Sequence, residues 1–136
     1  MSIPLASLFM CLLLNAQKES LHPVGLAKID ITPDFPVRLS GFGFRRTESE
    51  GVNQRIWAKA MVLGAKDPAV LITVDSLGVS AHLHSLLQKR LALRPGRLVI
   101  AASHTHTAPM LVGVCPTLFG MPIPHDHQNH IQQYTD

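Results

Sequence analysis

Two histidines one residue apart, His104 and His106, are the residues best suited to do chemistry. They follow an apolar run, Leu98 to Ala102, which is typical of a buried strand. Side chains two residues apart on an extended segment point to the same side, so both imidazoles can reach one metal ion or one substrate. Imidazole is the usual acid or base near neutral pH and a common zinc ligand. We therefore interpret the pair as functional rather than as ordinary loop histidines, although the spacing does not choose the metal.

Asp75 ends a second apolar run, Val70 to Val74, whose continuous pattern predicts a strand buried on both faces. Ser80 then caps a predicted helix whose apolar face carries Leu83, Leu86, Leu87 and Leu91. This strand–helix–strand order predicts a right-handed crossover between parallel strands. Asp75 and His104 then lie at the same carboxyl edge, where α/β sheets bind ligands. There Asp75 can accept the ring N–H of one histidine and fix its tautomer.

Two earlier segments predict further strands. Residues 24–32 alternate between apolar and polar from Leu26 onward, which indicates a half-buried strand that Pro33 stops. Residues 55–63 are rich in β-branched and aromatic side chains and also favour a strand. Prolines and glycines within residues 35–46 indicate a loop between them. The predicted fold class is α/β, a mixed sheet with one βαβ crossover unit.

The composition excludes several classes of protein. Of the 136 residues, 46% are hydrophobic and only 15% are charged, which argues against a disordered or coiled-coil chain. The net charge is +3, and the basic residues are scattered rather than arranged in a stripe with aromatic residues. The sequence therefore predicts no nucleic-acid partner.

The first residues are interpreted as a targeting segment. Residues 3–14 are apolar throughout and too few to cross a bilayer as a helix, as in the core of a secretory signal. Ala16 offers a cleavage point, so residues 1–16 are assigned to a signal peptide and residues 17–136 to the mature chain. A buried N-terminal helix or a misplaced start remains the alternative. The predicted location is secreted or periplasmic.

Four segments, in order, resemble the neutral and alkaline ceramidases. The segment 103–109, SHTHTAP, is similar to the family's T-H-T-H-S-G-P, and it follows an aspartate-containing strand end at residues 74–78. The segment 24–33 resembles the family's opening G-x-x-x-x-D-I-T-P strand. Residues 39–43 and 51–60 are similar to its next two landmarks. The likeness covers most of residues 24–110.

This resemblance implies a zinc-dependent hydrolase that cleaves the N-acyl amide of ceramide-like lipids. His104 falls on a zinc ligand, and His106 falls on the catalytic-site histidine beside the metal. Asp75 and Gly41 are expected next to the metal or the substrate, and Asn53 replaces a histidine of the family's substrate site. The implied partners are a lipid or N-acyl amide substrate and a membrane surface. The family's other zinc ligands lie later in its chains, so residues 17–136 are interpreted as the N-terminal portion of a larger catalytic domain.

Two alternatives stay open. One is another metal-dependent hydrolase, such as an amidohydrolase-like barrel, although that fold places its histidine pair after the first strand. The other is a secreted binding fragment with an incomplete site. The histidine-rich tail, with His125, Asp126, His127 and His130, is interpreted as a solvated segment in which Asp126 caps a short helix ending at Gln133.

Overall fold

A four-stranded mixed sheet forms the centre of the fold. The computed structural model describes residues 21–136, so the predicted signal segment lies outside the described residues. In chain order the elements are β1 (Val24–Asp30), β2 (Trp57–Leu63), β3 (Ala69–Val74), α1 (Ala81–Arg90), β4 (Leu98–Ala102) and α2 (His125–Thr135). The strand order is β1-β2-β3-β4; the first two pairings are antiparallel and β3 pairs with β4 in parallel. The predicted mixed α/β sheet with a βαβ crossover is confirmed.

The parallel pairing puts Asp75 and the histidine pair at one edge of the sheet. Val74 lies opposite Ala102 in the register, so both strands end at the same level. The backbone N–H of Ser103 donates to the carbonyl of Val74 at 3.0 Å, which continues the ladder past the strand ends. The chain segments that follow β3 and β4 therefore leave the sheet side by side, as the sequence predicted.

Helix α1 begins where its cap was predicted but covers little of the sheet. The hydroxyl of Ser80 accepts a hydrogen bond from the backbone N–H of Leu83 at 3.2 Å, and this satisfies one free donor of the first turn. The helix ends at Arg90, so Leu91 lies beyond it and is 48% exposed. Among residues 21–136, the only strand that α1 contacts is β4.

The predictions of strand burial were wrong for three strands. In β4, expected to be buried, only Leu98 is buried and Val99 is 56% exposed. In β3 only Val70 is buried, and β1, expected to be half-buried, leaves Leu26 78% exposed. The physical reason is that a sheet is buried on both faces only where another layer covers each face. Within the described part of the chain, the one helix packed on the sheet lies over its β4 side.

The tightest packing lies in the loops and the tail rather than in the sheet. One cluster consists of Val37, Met110, Phe119 and Ile131, and another of Leu77, Leu111 and Val114. The tail segment, expected to be solvated, packs through Ile131, which is only 5% exposed. Its helix begins after Pro124 with no side-chain cap from Asp126 and extends to Thr135, two residues beyond the predicted end. Neither helix in residues 21–136 combines the length and apolar character needed to cross a bilayer.

Candidate functional site

The two histidines come together, but not through the extended backbone that the sequence predicted. His104 has a backbone φ of 57°, in the left-handed region that residues other than glycine seldom occupy. The ring centroids of His104 and His106 are nevertheless 5.3 Å apart and inclined by 67°. Such backbone strain outside glycine is found preferentially where a site requires it. The turn at His104, and not strand alternation, is what sets the two rings edge to face.

The hydrogen-bond partner of His104 Nδ1 determines which nitrogen of the neutral ring carries the proton. Nδ1 lies 2.9 Å from the backbone carbonyl of Leu77. A carbonyl oxygen only accepts hydrogen bonds, so Nδ1 carries the proton and, in the neutral ring, Nε2 keeps its lone pair. Metal-binding histidines are oriented by this kind of hydrogen bond, in which the ring nitrogen that does not bind the metal donates to a carbonyl or a carboxylate. The exposed ring of His104 thus presents a nitrogen that is able to bind a metal ion.

Asp75 does not make the hydrogen bond expected of it. Its Oδ2 accepts the backbone N–H of Trp57 at 2.9 Å, and the carbonyl of Leu77 takes the place predicted for the carboxylate behind His104. The backbone N–H of Asp75 in turn donates to the carbonyl of Trp57 at 3.0 Å. Asp75 therefore extends the pairing of β2 with β3 at the carboxyl edge, a long-range role with no signature in the local sequence.

His106 is enclosed by the loop that precedes β2. Residues 38–40 pair with residues 108–110: Ser40 N–H donates to the carbonyl of Ala108 at 3.0 Å. This pairing brings Gly41 against His106, where a Cβ atom on Gly41 would lie 2.4 Å from the imidazole Cγ. The ring of Phe42 meets the imidazole edge to face at 4.8 Å. The predicted closeness of Gly41 to the site is thus a direct contact with His106.

Arg45 closes the same side of the histidine. Its Nη1 donates to the backbone carbonyls of His106 and of Ser40, the latter at 3.1 Å. Its guanidinium also lies 4.8 Å from the centroid of the Phe42 ring, within the range of a cation–π contact. One side chain therefore ties together the loop and the histidine segment, which lie 61 residues apart in the sequence.

Residues 41–46, which we call the aromatic loop, are held from beneath by a buried arginine. Arg38 is 2% exposed, and its guanidinium donates to the carbonyls of Arg45 at 2.7 Å and of Arg46 at 3.0 Å. The guanidinium lies 4.3 Å from the ring centroid of Phe119. Burial is the main cause that lowers the pKa of Arg38, and the neighbouring cation Arg46 adds to it. Sequence reasoning missed Arg38, because a lone arginine carries no pattern that reveals burial.

A cavity of about 650 Å³ opens beside the histidine segment. Thr105 and Thr107 line it, whereas His104 and His106 are not among the residues of 21–136 that do. Asn53 and Asp75, both predicted as site residues, line it as well. The other lining residues mix apolar, hydroxyl and charged side chains and include Phe35, Leu39, Arg45, Ser49, Glu50 and Arg55. The structure therefore puts Asn53 and Asp75 on the threonine side of the segment and Gly41 on the histidine side.

One of the charged residues that line this cavity, Arg55, forms an ion pair with Asp30. Asp30 accepts the N–H of Thr32 at 2.9 Å and pairs with Arg55 at 2.6 Å. Hydrogen bonds from Thr32, helped by Arg55, lower the pKa of Asp30 from 3.8 to about 2. Arg55 lies on the cavity wall and is largely exposed. It presents a cation to the cavity while it is paired with the carboxylate of Asp30.

The described chain supplies an incomplete set of metal ligands. Within residues 21–136, no three histidine, cysteine, aspartate or glutamate side chains form a group that could hold a metal ion. The tail histidines are used elsewhere: His130 Nδ1 lies 2.8 Å from Glu48 Oε1, and His127 Nδ1 lies 3.4 Å from an Arg38 nitrogen. His104 and His106 thus remain the ligand candidates at the carboxyl edge.

Comparison with solved structures finds similarity to ceramidases. The crystal structure of neutral ceramidase from Pseudomonas aeruginosa matches 65% of this chain and 16% of its own, with 28% identity and a TM-score of 0.56. A ceramidase complexed with C2 matches with 29% identity and a TM-score of 0.53, over 65% of this chain and 15% of its own. No protein-family model and no curated protein matches. The chain contains a neutral ceramidase-like region and has the fold of part of a larger ceramidase domain.

The extent of this match limits what the described residues can supply. The ceramidases are several times longer than this chain, which spans far less than two thirds of either. The match supports the resemblance read from the sequence at the level of a neutral ceramidase-like region. It favours this assignment over an amidohydrolase-like barrel, since the pair follows β4 and not the first strand.

Proposed function

We propose that this chain is the N-terminal part of a zinc-dependent hydrolase that cleaves N-acyl amide bonds of ceramide-like lipids. The observation that carries the proposal is the hydrogen bond from His104 Nδ1 to the carbonyl of Leu77 at 2.9 Å. It orients the ring and reserves Nε2 for a metal ion. The likeness to ceramidase structures supports the reaction class.

The residues present fit one part of a zinc site. His104 would hold zinc through Nε2, and His106, 5.3 Å from it between ring centroids, would lie beside the metal. Zinc supplies polarisation of the amide carbonyl and a bound water of lowered pKa. Because residues 21–136 contain no group of three histidine, cysteine, aspartate or glutamate side chains that could hold a metal ion, the ligands other than His104 would come from outside them. The site would be completed by polypeptide corresponding to later parts of the ceramidase chain.

The residues of this chain would bind and orient the substrate. The cavity beside Thr105 and Thr107 is large enough for the polar end of an amphiphile and offers hydroxyl, amide and cationic groups. Asn53, on its wall, is the expected specificity residue, because an amide donates and accepts hydrogen bonds at any pH. His106 is the expected proton carrier, held in place by contacts with Gly41 and Phe42. The proposal includes a secreted location and hydrolysis of the substrate at a membrane surface.

A segment exchange tests the proposal. The matching segment of Pseudomonas ceramidase is replaced by residues 21–110 of this chain, and hydrolysis of a fluorescent ceramide is measured together with zinc content. We expect zinc and activity to be retained. His104→Ala should remove both, and His106→Ala should lower activity with zinc still bound. His82→Ala, at an exposed position of α1, is the matched histidine control and should leave both unchanged. A His104→Ala chimera that keeps its zinc would refute the assignment.

A non-catalytic binding fragment is the second candidate. The incomplete ligand set within residues 21–136 favours it. The measurement that separates the two is zinc titration of the chain with and without the complementary part of a ceramidase. Tight zinc binding that requires both parts supports the hydrolase, and absence of zinc from the mixture supports the binding fragment.

A further inference from the structure

A buried serine lies one residue before the carbonyl that orients His104. Ser76 is only 3% exposed, which is unusual for a serine. It follows the end of β3, where its backbone N–H donates to the carbonyl of Val74 at 3.0 Å. A hydroxyl that is removed from water costs free energy unless it is hydrogen-bonded, so the partner of this hydroxyl indicates what the side chain holds in place.

The hydroxyl of Ser76 bridges the backbone of the next residue. Its Oγ donates to the backbone carbonyl of Gly78 at 3.2 Å. The ring of atoms that this hydrogen bond closes contains the whole backbone of Leu77. The Leu77 carbonyl, which accepts the hydrogen bond from His104 Nδ1 at 2.9 Å, therefore cannot rotate without breaking the bond made by the serine.

Two further contacts hold the same turn against the histidine segment. The side chain of Leu77 is 8% exposed and packs in a core cluster with Leu111. The backbone carbonyl of Ser76 accepts the N–H of Thr105 at 3.2 Å. The successive carbonyls of Ser76 and Leu77 thus receive a backbone donor from Thr105 and a ring donor from His104. The strained left-handed backbone at His104 is fixed by contacts that all converge on this turn.

We propose that Ser76 is a positioning residue for the candidate metal site. Its hydroxyl fixes the direction of the Leu77 carbonyl, which keeps the proton of the neutral His104 ring on Nδ1 and leaves Nε2 free for a metal ion. The hydrogen bond made by one ring nitrogen of a histidine sets which nitrogen can bind a metal, so a displaced carbonyl changes the ligand. The consequence for zinc rests on the proposed function, whereas the control of the ring proton does not.

The competing explanation is that Ser76 only stabilises the turn. Two other serines with hydroxyl-to-backbone hydrogen bonds provide matched controls. The hydroxyl of Ser80 accepts the N–H of Leu83 at the start of α1, so Ser80→Ala should lower stability at a site away from His104. The exposed hydroxyl of Ser85 donates to the carbonyl of Ala81 at 2.9 Å, so Ser85→Ala removes the same kind of bond at the surface.

Nitrogen NMR of the metal-free full chain tests the inference. The ¹⁵N shifts of a neutral imidazole distinguish the nitrogen that carries the proton from the nitrogen that keeps a lone pair. The sequence has eight histidines, and the signals of His104 are those that disappear in His104→Ala. In mildly alkaline solution we expect the wild type to hold the proton on Nδ1. In Ser76→Ala the ratio of the Nδ1–H to the Nε2–H form should fall about fivefold, which corresponds to the loss of one neutral hydrogen bond.

Graded and control variants separate positioning from stability. Ser76→Cys has nearly the same size and a weaker donor, so its tautomer ratio should lie between those of the wild type and Ser76→Ala. Ser80→Ala and Ser85→Ala should keep the wild-type ratio. Circular dichroism checks that each variant is folded, and Ser76→Cys decides by the same criteria if Ser76→Ala does not fold.

Zinc binding adds the functional measurement. In the ceramidase chimera that tests the proposed function, Ser76→Ala should lower zinc affinity about tenfold, as for the loss of an outer hydrogen bond at a metal-binding histidine. An unchanged tautomer ratio in the folded Ser76 variant, or an equal change in Ser80→Ala, overturns the proposal. A changed ratio with unchanged zinc affinity overturns it as well. A wild-type chimera without zinc would instead count against the proposed hydrolase, and the tautomer ratio would still decide the role of Ser76.

Discussion

Substitution of Gly41 is the sharpest test of how the histidine site is built. A Cβ atom on Gly41 would lie 2.4, 2.6 and 2.8 Å from the Cγ, Cβ and Cα atoms of His106, closer than real contacts allow. The backbone at Gly41 also has a φ of 95°, which alanine adopts only with strain. Overpacking costs about 1–3 kcal/mol, and the left-handed backbone costs about 1–2 kcal/mol. Gly41→Ala is therefore expected to lower the free energy of unfolding by about 2–5 kcal/mol.

Two other glycines separate the contributions. Gly64 has a φ of 87° and nothing within 4 Å of the added Cβ, so Gly64→Ala measures the backbone term alone. Gly51 has neither a positive φ nor a near neighbour, and Gly51→Ala should change stability by less than about 0.5 kcal/mol. Urea unfolding followed by circular dichroism measures all three variants. The difference between Gly41→Ala and Gly64→Ala is the energy of the contact with His106.

The functional consequence has its own measurement. In Gly41→Ala the imidazole of His106 must move, so its proton resonances should shift more than those of His104, whose hydrogen bond to Leu77 does not involve Gly41. Gly64→Ala should leave both sets unchanged. If Gly41→Ala costs no more than Gly64→Ala and His106 keeps its resonances, the contact described here does not constrain the site.

Three further predictions concern groups that support the site. Because the pKa of Asp30 is lowered from 3.8 to about 2, its contribution to stability is complete above pH 3.8 and is lost as the pH falls towards 2. Asp30→Asn should therefore make the midpoint of urea unfolding depend less on pH over that interval. Burial raises the pKa of Tyr134, the one tyrosine, to about 12, so absorbance titration should show no phenolate at pH 10. Tyr134→Phe should lower the free energy of unfolding by about 1 kcal/mol, because the carbonyl of Ile31 loses the hydroxyl that donates to it at 2.7 Å. Arg38→Met should cost about 3 kcal/mol, because two carbonyls of the aromatic loop lose charged donors.

Each of these has a contrary outcome. A pH dependence of Asp30→Asn equal to that of the wild type would show that another carboxyl governs acid unfolding. Phenolate absorbance near pH 10 would mean that the tyrosine ring is solvated. A stable Arg38→Met chain with an unchanged aromatic loop would remove the buried guanidinium as its support.

Much of the architecture followed from local pattern. Apolar runs before Asp75 and before the histidine segment predicted β3 and β4, and the leucine spacing after Ser80 predicted α1. The parallel pairing followed because a right-handed crossover leaves few other arrangements. The burial of β1, β3 and β4 was predicted incorrectly, because a pattern records which side chains are apolar and not which layer covers them.

The sequence by itself determined the elements, their order and the edge at which His104 and His106 emerge. Tertiary structure alone decided the chemistry of the pair: the left-handed turn at His104, the carbonyl of Leu77 behind its ring, and Gly41 against His106. It also replaced the predicted partner of Asp75 with the backbone of Trp57. The physical reason is the difference in sequence separation between the interacting residues. Periodicity arises from neighbours a few residues apart, whereas these contacts join segments far apart in the sequence and depend on how the loops close.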